Sequence, residues 1–362
     1  MAAKYIRLAN ILKEKLSSAP GTGVYRLPSE DSLSMQYGVS RQTVRQALSI
    51  LESEGLIEKR KGSGSWTTGL SADPKKNQIA VVLTSANEYI YPALLADIQG
   101  ILMEKGYEVR VYVTENSISG EQQILKELLE NPVRGLIVEG CNTALPNPNL
   151  DLYEILKRRQ VSILFLNNFH AAPEGSIFLQ DDNYAGGYSL GRHLIVKHHT
   201  QIAGIFKMDD IQGHDRALGW FSSMRDCGLP LPDAHTAWYT SKELEELRKK
   251  QDTGFLRNFI RKELKSCSAV ICHNDEIAYW LVRELKRADL QVPQDISVVS
   301  FGNTYYSEIC SVRLTSLSHK PHETGIQAAQ TLLKMIQGIT VQPQLLSWSL
   351  VSRDSVRCLP DR

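Results

Sequence analysis

The sequence lacks the features that mark several classes of protein. No apolar run reaches 18 residues, so we expect no membrane-spanning helix. Its six cysteines include no CxxC pair, which argues against a thiolate metal site and favours reduced cysteines. The Walker A and GxGxxG spacings are absent, and no set of nucleophile, base and orienting residue is visible. We therefore expect no catalytic residues, no metal and no cofactor.

A secretion signal is also lacking. The first residues, MAAKYIRLANILKEKL, form an amphipathic helical pattern that charges interrupt, so we expect a cytoplasmic protein without a membrane partner. The length of 362 residues, with 42% apolar and 22% charged residues, suits a soluble chain of two or three domains. Residues 1–70 hold 10 Lys and Arg against 6 Asp and Glu, whereas the remainder holds 31 against 34. A basic module on a mildly acidic body is typical of a nucleic-acid reader with a second task.

The most specific pattern lies in the forty residues from Leu27 to Trp66. Ser29 can cap a first helix, and Gly38 can end it. Ser40 can cap a second helix, whose apolar face would consist of Val44, Ala47, Leu48 and Leu51. Two helices joined by a short glycine-containing turn predict a helix-turn-helix, with hydrogen-bond donors at the start of the second helix.

A basic hairpin follows these helices. Residues 56–66 predict a short strand, a basic glycine turn and a returning strand, that is, a wing. Arginines on a single amphipathic helix are more often solvated surface, but the order of cap, turn, basic helix and basic hairpin favours DNA binding. In this interpretation Gln42 suits adenine, and the arginines suit guanine or phosphate. The predicted DNA-binding residues are Glu30, Ser40, Arg41, Gln42, Thr43, Arg45, Lys61, Gly62 and Gly64.

This stretch resembles the DNA-binding domain of the GntR family. The shared pattern is LPSE, then GVSR.TVR.AL..LE.EGL, then a basic G.G turn. The resemblance implies a winged helix-turn-helix domain over residues 1–70. It also implies that Arg41, Thr43 and Arg45 meet the major groove and that 62–64 approaches the minor groove. Ser65 stands where the family often has Thr.

The rest of the chain has a different pattern. We interpret polar residues 71–77 as a linker. From Gln78 onwards, short apolar runs alternate with helical segments, which predicts an α/β body with parallel sheets over 78–362. A single strand near 345–351 would close the chain. Because the body is too long for one ordinary sheet, we expect two α/β lobes with a cleft between them.

Polar side chains follow many of the predicted strands, where ligands of open α/β sheets bind. Amide, carboxylate and cationic groups match sugar hydroxyls, and aromatic rings match the C–H side of a sugar. Each has an ordinary alternative, such as a helix cap for Asp182, a surface ion pair for Arg216 or a core position for Tyr91. As a set they predict an effector site. Its candidates are Tyr91, Glu139, Asn168, Asp182, Lys207, Arg216, Trp220, Asn274 and His319.

Residues 78–355 resemble the effector-binding core of the LacI/GalR family, which is similar to periplasmic sugar-binding proteins. The motifs that carry the resemblance include GLIVEG at 135–140, DDNYAGGYSLGRHLI at 181–195 and NDEIA at 274–278. A GntR-type head on this body, with GIFKMDDIQG at 204–213, is similar to the arabinose-operon repressor group of Gram-positive bacteria. The resemblance implies that Asp182, Arg216 and Asn274 contact sugar.

One departure affects the expected ligand. The family usually reads VGYDD where this chain reads Ser300-Phe301-Gly302-Asn303, so an acceptor carboxylate is missing at Gly302. The resemblance implies a homodimeric repressor that binds near-palindromic double-stranded operator DNA and that a small sugar, foremost L-arabinose, releases. The alternative is an activator or repressor that responds to another pentose, a hexose or a sugar phosphate. An enzyme is disfavoured, since no catalytic set is visible.

Overall fold

The computed structural model describes residues 3–18, 24–70, 77–85, 91–169 and 175–361. The predicted linker at 71–77 lies outside the described residues except for Asn77. None of the described helices is long and apolar enough to span a membrane.

The N-terminal part is a winged helix-turn-helix. Its elements are α1 (Lys4–Ser18), α2 (Glu30–Tyr37), α3 (Arg41–Ser53), β1 (Ile57–Arg60) and β2 (Gly64–Thr67). The Ser29 and Ser40 hydroxyls cap α2 and α3, and Gly38 ends α2 in the left-handed conformation at φ +62°. β1 and β2 pair antiparallel, with Ile57 opposite Thr67. The three helices enclose a core built from Leu8, Leu12, Leu33, Val44, Ala47, Leu48, Leu51 and Ile57.

The body begins with a parallel sheet and its helices. In chain order the elements are β3 (Gln78–Leu83), α4 (Tyr91–Glu104), β4 (Glu108–Val113), α5 (Ile118–Glu130), β5 (Gly135–Val138), α6 (Leu150–Arg158), β6 (Ser162–Leu166) and β7 (Ile177–Asp181). Residues of β3 alternate between two cores, because helices cover both faces of the sheet. We call this part the N lobe.

The following elements form the C lobe, which is again a sheet with helices packed on it. They are α7 (Asn183–Val196), β8 (Ile202–Lys207), α8 (Ile211–Asp226), β9 (Thr236–Tyr239), α9 (Ser241–Lys250), α10 (Gly254–Lys262), β10 (Ala269–Cys272), α11 (Asp275–Arg287), β11 (Ser297–Phe301), α12 (Tyr305–Ile309) and β12 (Thr315–Ser318). The last elements are α13 (Glu323–Ile336), β13 (Gln344–Leu346) and β14 (Ser349–Val351).

The chain crosses between the lobes three times. The N-lobe sheet has the order β13-β7-β6-β5-β3-β4, and the C-lobe sheet has the order β14-β12-β11-β10-β8-β9. All pairings within the two sheets are parallel except that of β14 with β12. The crossings therefore lie between β7 and α7, between β12 and α13, and between β13 and β14. The expected α/β body with two lobes is confirmed.

The last crossing corrects one expectation. The run near 345–351 was predicted as one strand, but it forms two short strands that belong to different sheets. Ser347 and Trp348 separate them at the cleft. Strand pairing is decided by distant partners, here β7 and β12, and a local pattern of alternating residues does not contain that information.

Candidate functional site

A cavity of about 320 Å³ lies between the lobes at the carboxyl ends of both sheets. Seven of the nine candidate effector residues line it, namely Tyr91, Glu139, Asn168, Lys207, Arg216, Asn274 and His319. Parallel strands end at the same edge of each sheet, so residues that are far apart in sequence meet here.

The two other candidates lie elsewhere. The Asp182 carboxylate accepts a hydrogen bond from the Ala185 amide at 2.9 Å and caps α7, while its neighbour Asp181 lines the cavity. Trp220 is fully buried in the C-lobe core, where its ring packs near Phe206. Asp182 therefore has the helix-capping role that we considered as the alternative to ligand binding, and Trp220 has a packing role.

Glu139 forms the polar centre of the N-lobe wall. Its carboxylate is buried and accepts hydrogen bonds from the Tyr91 hydroxyl at 2.7 Å and from the Thr84 hydroxyl at 2.9 Å. The Thr84 amide and the Asn167 side chain donate two further bonds, at 3.2 and 3.3 Å. Burial raises the pKa of Glu139, because these donors are neutral and do not fully replace water around the charge. The carboxylate thus lines the cavity as a fixed acceptor.

Arg216 occupies the corresponding place on the C-lobe wall. Its guanidinium donates to Asn183 Oδ1 at 2.8 Å and to the His273 carbonyl at 2.5 Å. It also lies 4.3 Å from the centroid of the Phe301 ring, a cation–π arrangement. The side chain is only 5% exposed, so these contacts fix its position.

Two glycines place Arg216 by letting α7 and α8 cross closely. A Cβ at Gly187 would lie 2.0 Å from the Arg216 carbonyl oxygen. A Cβ at Gly219 would lie 2.0 Å from the Tyr184 carbonyl oxygen. Any other residue at these positions would push the helices apart and move Arg216 away from the cavity.

Lys207 and Asn274 are two further predicted residues of the C-lobe wall. The Lys207 ammonium contacts the Asp210 carboxylate at 2.5 Å and lies 3.9 Å from Asp209. Asn274 caps α11, since its Oδ1 accepts from the Ile277 amide at 2.9 Å. Both side chains therefore combine a structural contact with a position on the cavity wall.

Among the lining residues that we did not predict are His273, Tyr239 and Trp348. His273 directly follows β10, so its position at a strand end was a usable signal. Tyr239 is the last residue of β9 and was counted within the strand. Trp348 lies between β13 and β14, and its ring centroid is 3.7 Å from that of His319. This tryptophan was hidden because the two strands around it were predicted as one.

Apart from His319 Nε2, which lies 2.9 Å from Asp181 Oδ1, four buried polar atoms on this wall have no hydrogen-bond partner within the described chain. They are Asn168 Oδ1, Tyr239 OH, His273 Nδ1 and Trp348 Nε1. An unpaired buried polar group costs about 1–3 kcal/mol. Their concentration around one cavity indicates a ligand that supplies both hydrogen-bond donors and acceptors.

Charges on the wall are nearly balanced. The lining residues include five carboxylates and four Lys or Arg side chains, which are Asp97, Glu139, Asp181, Asp210, Glu323, Lys207, Arg216, Arg248 and Lys320. Such a wall suits an uncharged polar ligand better than an anion, which would require a clear excess of cations.

Gly302 lines the cavity where the resemblance led us to expect a carboxylate. Its φ is +115°, a left-handed conformation that other residues rarely adopt, and a Cβ would lie 3.2 Å from Thr304 Cγ2 and 3.5 Å from Asp275 Oδ2. The Asn303 side chain, which follows it, donates to the Ser318 hydroxyl at 3.2 Å and is not part of the wall. The wall near Gly302 is therefore shaped by backbone.

Hydrogen bonds join the lobes beside the cavity, away from the three crossings. The Ile211 amide, at the start of α8, donates to the Thr143 hydroxyl of the N lobe at 3.0 Å. The Ala144 amide donates to the Asp209 carbonyl at 3.1 Å, and Asn116 Nδ2 donates to the Ser241 hydroxyl at 2.8 Å. These bonds join the two lobes across the cleft in this structure.

In the winged head, the start of α3 is exposed and basic. The Arg41 and Arg45 side chains are 66% and 69% exposed, and Gln42 is exposed between them. Arg45 Nε donates to the Glu30 carboxylate at 2.7 Å. Arg41 pairs in the same way with Asp31, also in the first turn of α2. The acids at the start of α2 thus orient the arginines of α3.

The wing presents its basic turn to solvent. Gly62 and Gly64 have φ of +74° and +83°, which the turn requires, and Lys61 is exposed beside them. The Arg60 guanidinium lies 4.6 Å from the centroid of the Trp66 ring, so the base of the wing is stiffened by a cation–π contact. The predicted Ser40 and Thr43 are occupied by the cap of α3, where the Thr43 amide donates to Ser40 Oγ at 3.2 Å.

Comparison with known proteins assigns both parts. The profile of the bacterial regulatory proteins of the gntR family matches residues 4–66, and that of the periplasmic binding protein-like domain matches residues 192–356. An arabinose metabolism transcriptional repressor from Halalkalibacterium halodurans is 31% identical over 352 residues, or 93% of this chain and 90% of the relative. One from Geobacillus stearothermophilus is 32% identical over 338 residues, or 92% and 91%. The chain belongs to the family of these transcriptional repressors.

A solved structure of this repressor's general fold is the complex of the transcriptional regulator CelR with cellobiose. It matches with a TM-score of 0.67 and 18% identity, and it covers 91% of this chain and 100% of that chain. The predicted family, with its winged head and periplasmic-binding-protein-like body, is therefore confirmed. The domain boundaries at 70 and 77 and the roles of individual residues stay predictions.

Proposed function

We propose that this repressor controls sugar-utilisation genes and that L-arabinose, bound in the interlobe cavity, releases it from its operator. The observation that carries the proposal is the group of four unpartnered polar atoms on the wall of one cavity. A monosaccharide offers hydroxyls that both donate and accept, so it can pair all four. A volume of about 320 Å³ suits a small ligand of this kind.

Arabinose is favoured over other sugars by the two relatives, which are arabinose metabolism repressors. The near balance of charges on the wall favours the free sugar over its phosphate. Glu139 and Arg216 would bind hydroxyls from opposite lobes, while the Trp348 and Phe301 rings would cover the C–H side of the sugar.

The winged head supports the part of the proposal that concerns operator binding. Two copies of the chain, paired as a homodimer in the cytoplasm, would place two α3 helices on the half-sites of a near-palindromic operator. Arg41, Gln42 and Arg45 would contact base edges, and Lys61 with Gly62 and Gly64 would reach the minor groove. In this role the chain returns its sugar unchanged and is not an enzyme.

Sugar binding and operator binding are linked thermodynamically. A sugar that spans both lobes binds the closed cleft best and so favours the lobe arrangement of the closed form. If the operator prefers another arrangement, sugar and DNA weaken each other's binding by the same factor.

The test is a thermal-unfolding panel on the full chain with free pentoses, free hexoses and their phosphates. A ligand present at 100 times its dissociation constant stabilises the protein by about 2.7 kcal/mol, so L-arabinose should raise the melting temperature in a concentration-dependent way. L-Arabinose should then also lower the affinity for operator DNA in a fluorescence anisotropy titration.

Other outcomes of the panel are equally informative. A shift with another pentose or a hexose would keep the repressor and replace the effector. A shift only with sugar phosphates would contradict the charge argument. No shift with any sugar would overturn the proposed effector class, and tighter operator binding with sugar would overturn release.

A further inference from the structure

Two of the unpartnered atoms belong to neighbouring side chains of the C lobe. Tyr239 ends β9 and His273 follows β10, and these strands flank β8 on either side. The two rings meet edge to face with centroids 5.9 Å apart. Tyr239 is fully buried, His273 is 6% exposed, and both line the interlobe cavity.

Neither residue can easily move to find a partner. The His273 amide donates to the Ile205 carbonyl at 2.8 Å, and its own carbonyl accepts from Arg216 at 2.5 Å. The Tyr239 carbonyl accepts from the Met208 amide at 2.8 Å, and its ring stacks on Phe255 at 5.5 Å. The Tyr239 hydroxyl and His273 Nδ1 are therefore held in place without a partner in the chain, as expected of groups that bind a ligand.

The chemistry of the pair selects the ligand group. Burial, with Arg216 and Lys207 nearby, holds the pKa of His273 well below its usual value, so the imidazole is neutral and one ring nitrogen is an acceptor. Burial raises the pKa of Tyr239, so its hydroxyl keeps its proton and can donate. A hydroxyl group accepts one bond and donates another, whereas a carboxylate or phosphate oxygen has no proton for the imidazole acceptor.

We propose that Tyr239 and His273 together bind one hydroxyl of the effector and determine which sugar stereoisomer this repressor accepts. The proposal rests on the proposed function, since it assigns specificity within the same cavity. A sugar whose hydroxyl points away from the pair would leave both buried atoms unpaired and would be rejected.

The decisive variant is Tyr239→Phe, which removes only the hydroxyl and keeps the ring that packs on Phe255 and His273. The unliganded variant should unfold at the same temperature as the wild type or a higher one, because the lost group had no partner. Its dissociation constant for L-arabinose, measured by titration calorimetry on the full chain, should rise about tenfold.

Monodeoxy L-arabinose analogues then locate the contact. One analogue should bind the wild type about tenfold more weakly than L-arabinose, yet bind Tyr239→Phe no more weakly than L-arabinose does. The other analogues should lose similar affinity with both proteins. This pattern identifies the hydroxyl, and a merely structural tyrosine would not produce it.

Tyr153→Phe is the matched control. Tyr153 is also buried, but its hydroxyl donates to Glu121 Oε1 at 2.8 Å and lies away from the cavity wall. Its loss should lower the melting temperature and leave the dissociation constant for L-arabinose unchanged.

The outcomes separate this proposal from the proposed function. If the wild type binds L-arabinose and Tyr239→Phe binds it equally well, the pair does not read the sugar and only this proposal is overturned. A lower melting temperature of unliganded Tyr239→Phe would show a structural hydroxyl and would overturn it too. If the wild type binds no sugar, the proposed function fails and the specificity pair fails with it.

Discussion

The start of α8 is capped from the opposite lobe, and this contact predicts how the closed cleft is held. Asp210 precedes the helix but makes no side-chain cap bond. The Ile211 amide donates instead to the Thr143 hydroxyl at 3.0 Å, across the cleft. This bond exists only when the lobes are close, so it stabilises the closed form selectively.

Thr143→Val removes the acceptor and nearly keeps the shape of the side chain. The Ile211 N–H group then has no acceptor in the closed form, and losing a capping bond costs about 1 kcal/mol. Since 1.4 kcal/mol corresponds to a factor of ten, the dissociation constant for the sugar should rise about fivefold. The sugar concentration that half-releases the operator should rise in the same proportion, because closure links the two equilibria.

Titration calorimetry on the full chain measures this effect, with Thr143→Ser as the control that keeps the hydroxyl. The serine variant should bind sugar much as the wild type does. The reasoning is refuted if the valine variant binds sugar within twofold of the wild-type affinity, or if the serine variant loses as much sugar affinity as the valine variant. Either result would mean that the bond between Thr143 and Ile211 does not bias closure.

Two further predictions concern the head and the N-lobe wall. Arg45→Ala should weaken operator binding by about 1–3 kcal/mol in fluorescence anisotropy and leave sugar affinity unchanged, because its side chain is 69% exposed at the start of α3. Glu139→Gln should weaken sugar binding yet raise the unfolding free energy at pH 7, because burial raises the pKa of Glu139 and penalises its charged form. As the pH falls through this raised pKa, wild-type Glu139 becomes neutral, so the stability gain should vanish below the usual value of 4.5.

Each of these predictions has its own check. Lys249→Ala removes an equally exposed cation on α9, which pairs only with Glu245 among the contacts described, and it should leave operator affinity unchanged. If Arg45→Ala behaves like this control, the arginine does not contact DNA. For Glu139→Gln, urea unfolding at several pH values gives the difference, and a stability difference that does not change with pH would contradict the burial argument.

The head could be predicted almost completely because its determinants are local. Ser29, Gly38 and Ser40 act through hydrogen bonds and backbone angles within a few residues, so the sequence contains both the signal and its effect. The wing could be predicted from Gly62 and Gly64, because its turn requires positive φ at both positions. Contacts such as that of Arg45 with Glu30 are not local, and no pattern in the sequence reveals them.

The sequence predicts only those cavity residues that lie at the ends of recognisable strands, because these ends meet at one edge of each sheet. Glu139 and Lys207 were identified because each ends or follows a short apolar run. Asp182 was expected in place of Asp181, since a shift of one residue turns a wall residue into a helix cap. Trp348 was missed because its place depends on a chain crossing, which distant strand pairing decides.

Closure of the cleft depends on a balance of opposing contributions, and this balance is what a sugar shifts. Unpaired atoms such as the Tyr239 hydroxyl cost about 1–3 kcal/mol each while the cleft is closed, whereas water would satisfy them in an open cleft. Bonds between the lobes, such as that of Thr143, return about 0.5–1.5 kcal/mol each. A bound sugar pairs the polar atoms and so removes their cost, while the hydrogen bonds between the lobes remain. The sugar therefore favours closure by its differential affinity for the closed form. It follows that Thr143→Val should lower the closed population without sugar and Tyr239→Phe should raise it, although both weaken sugar binding.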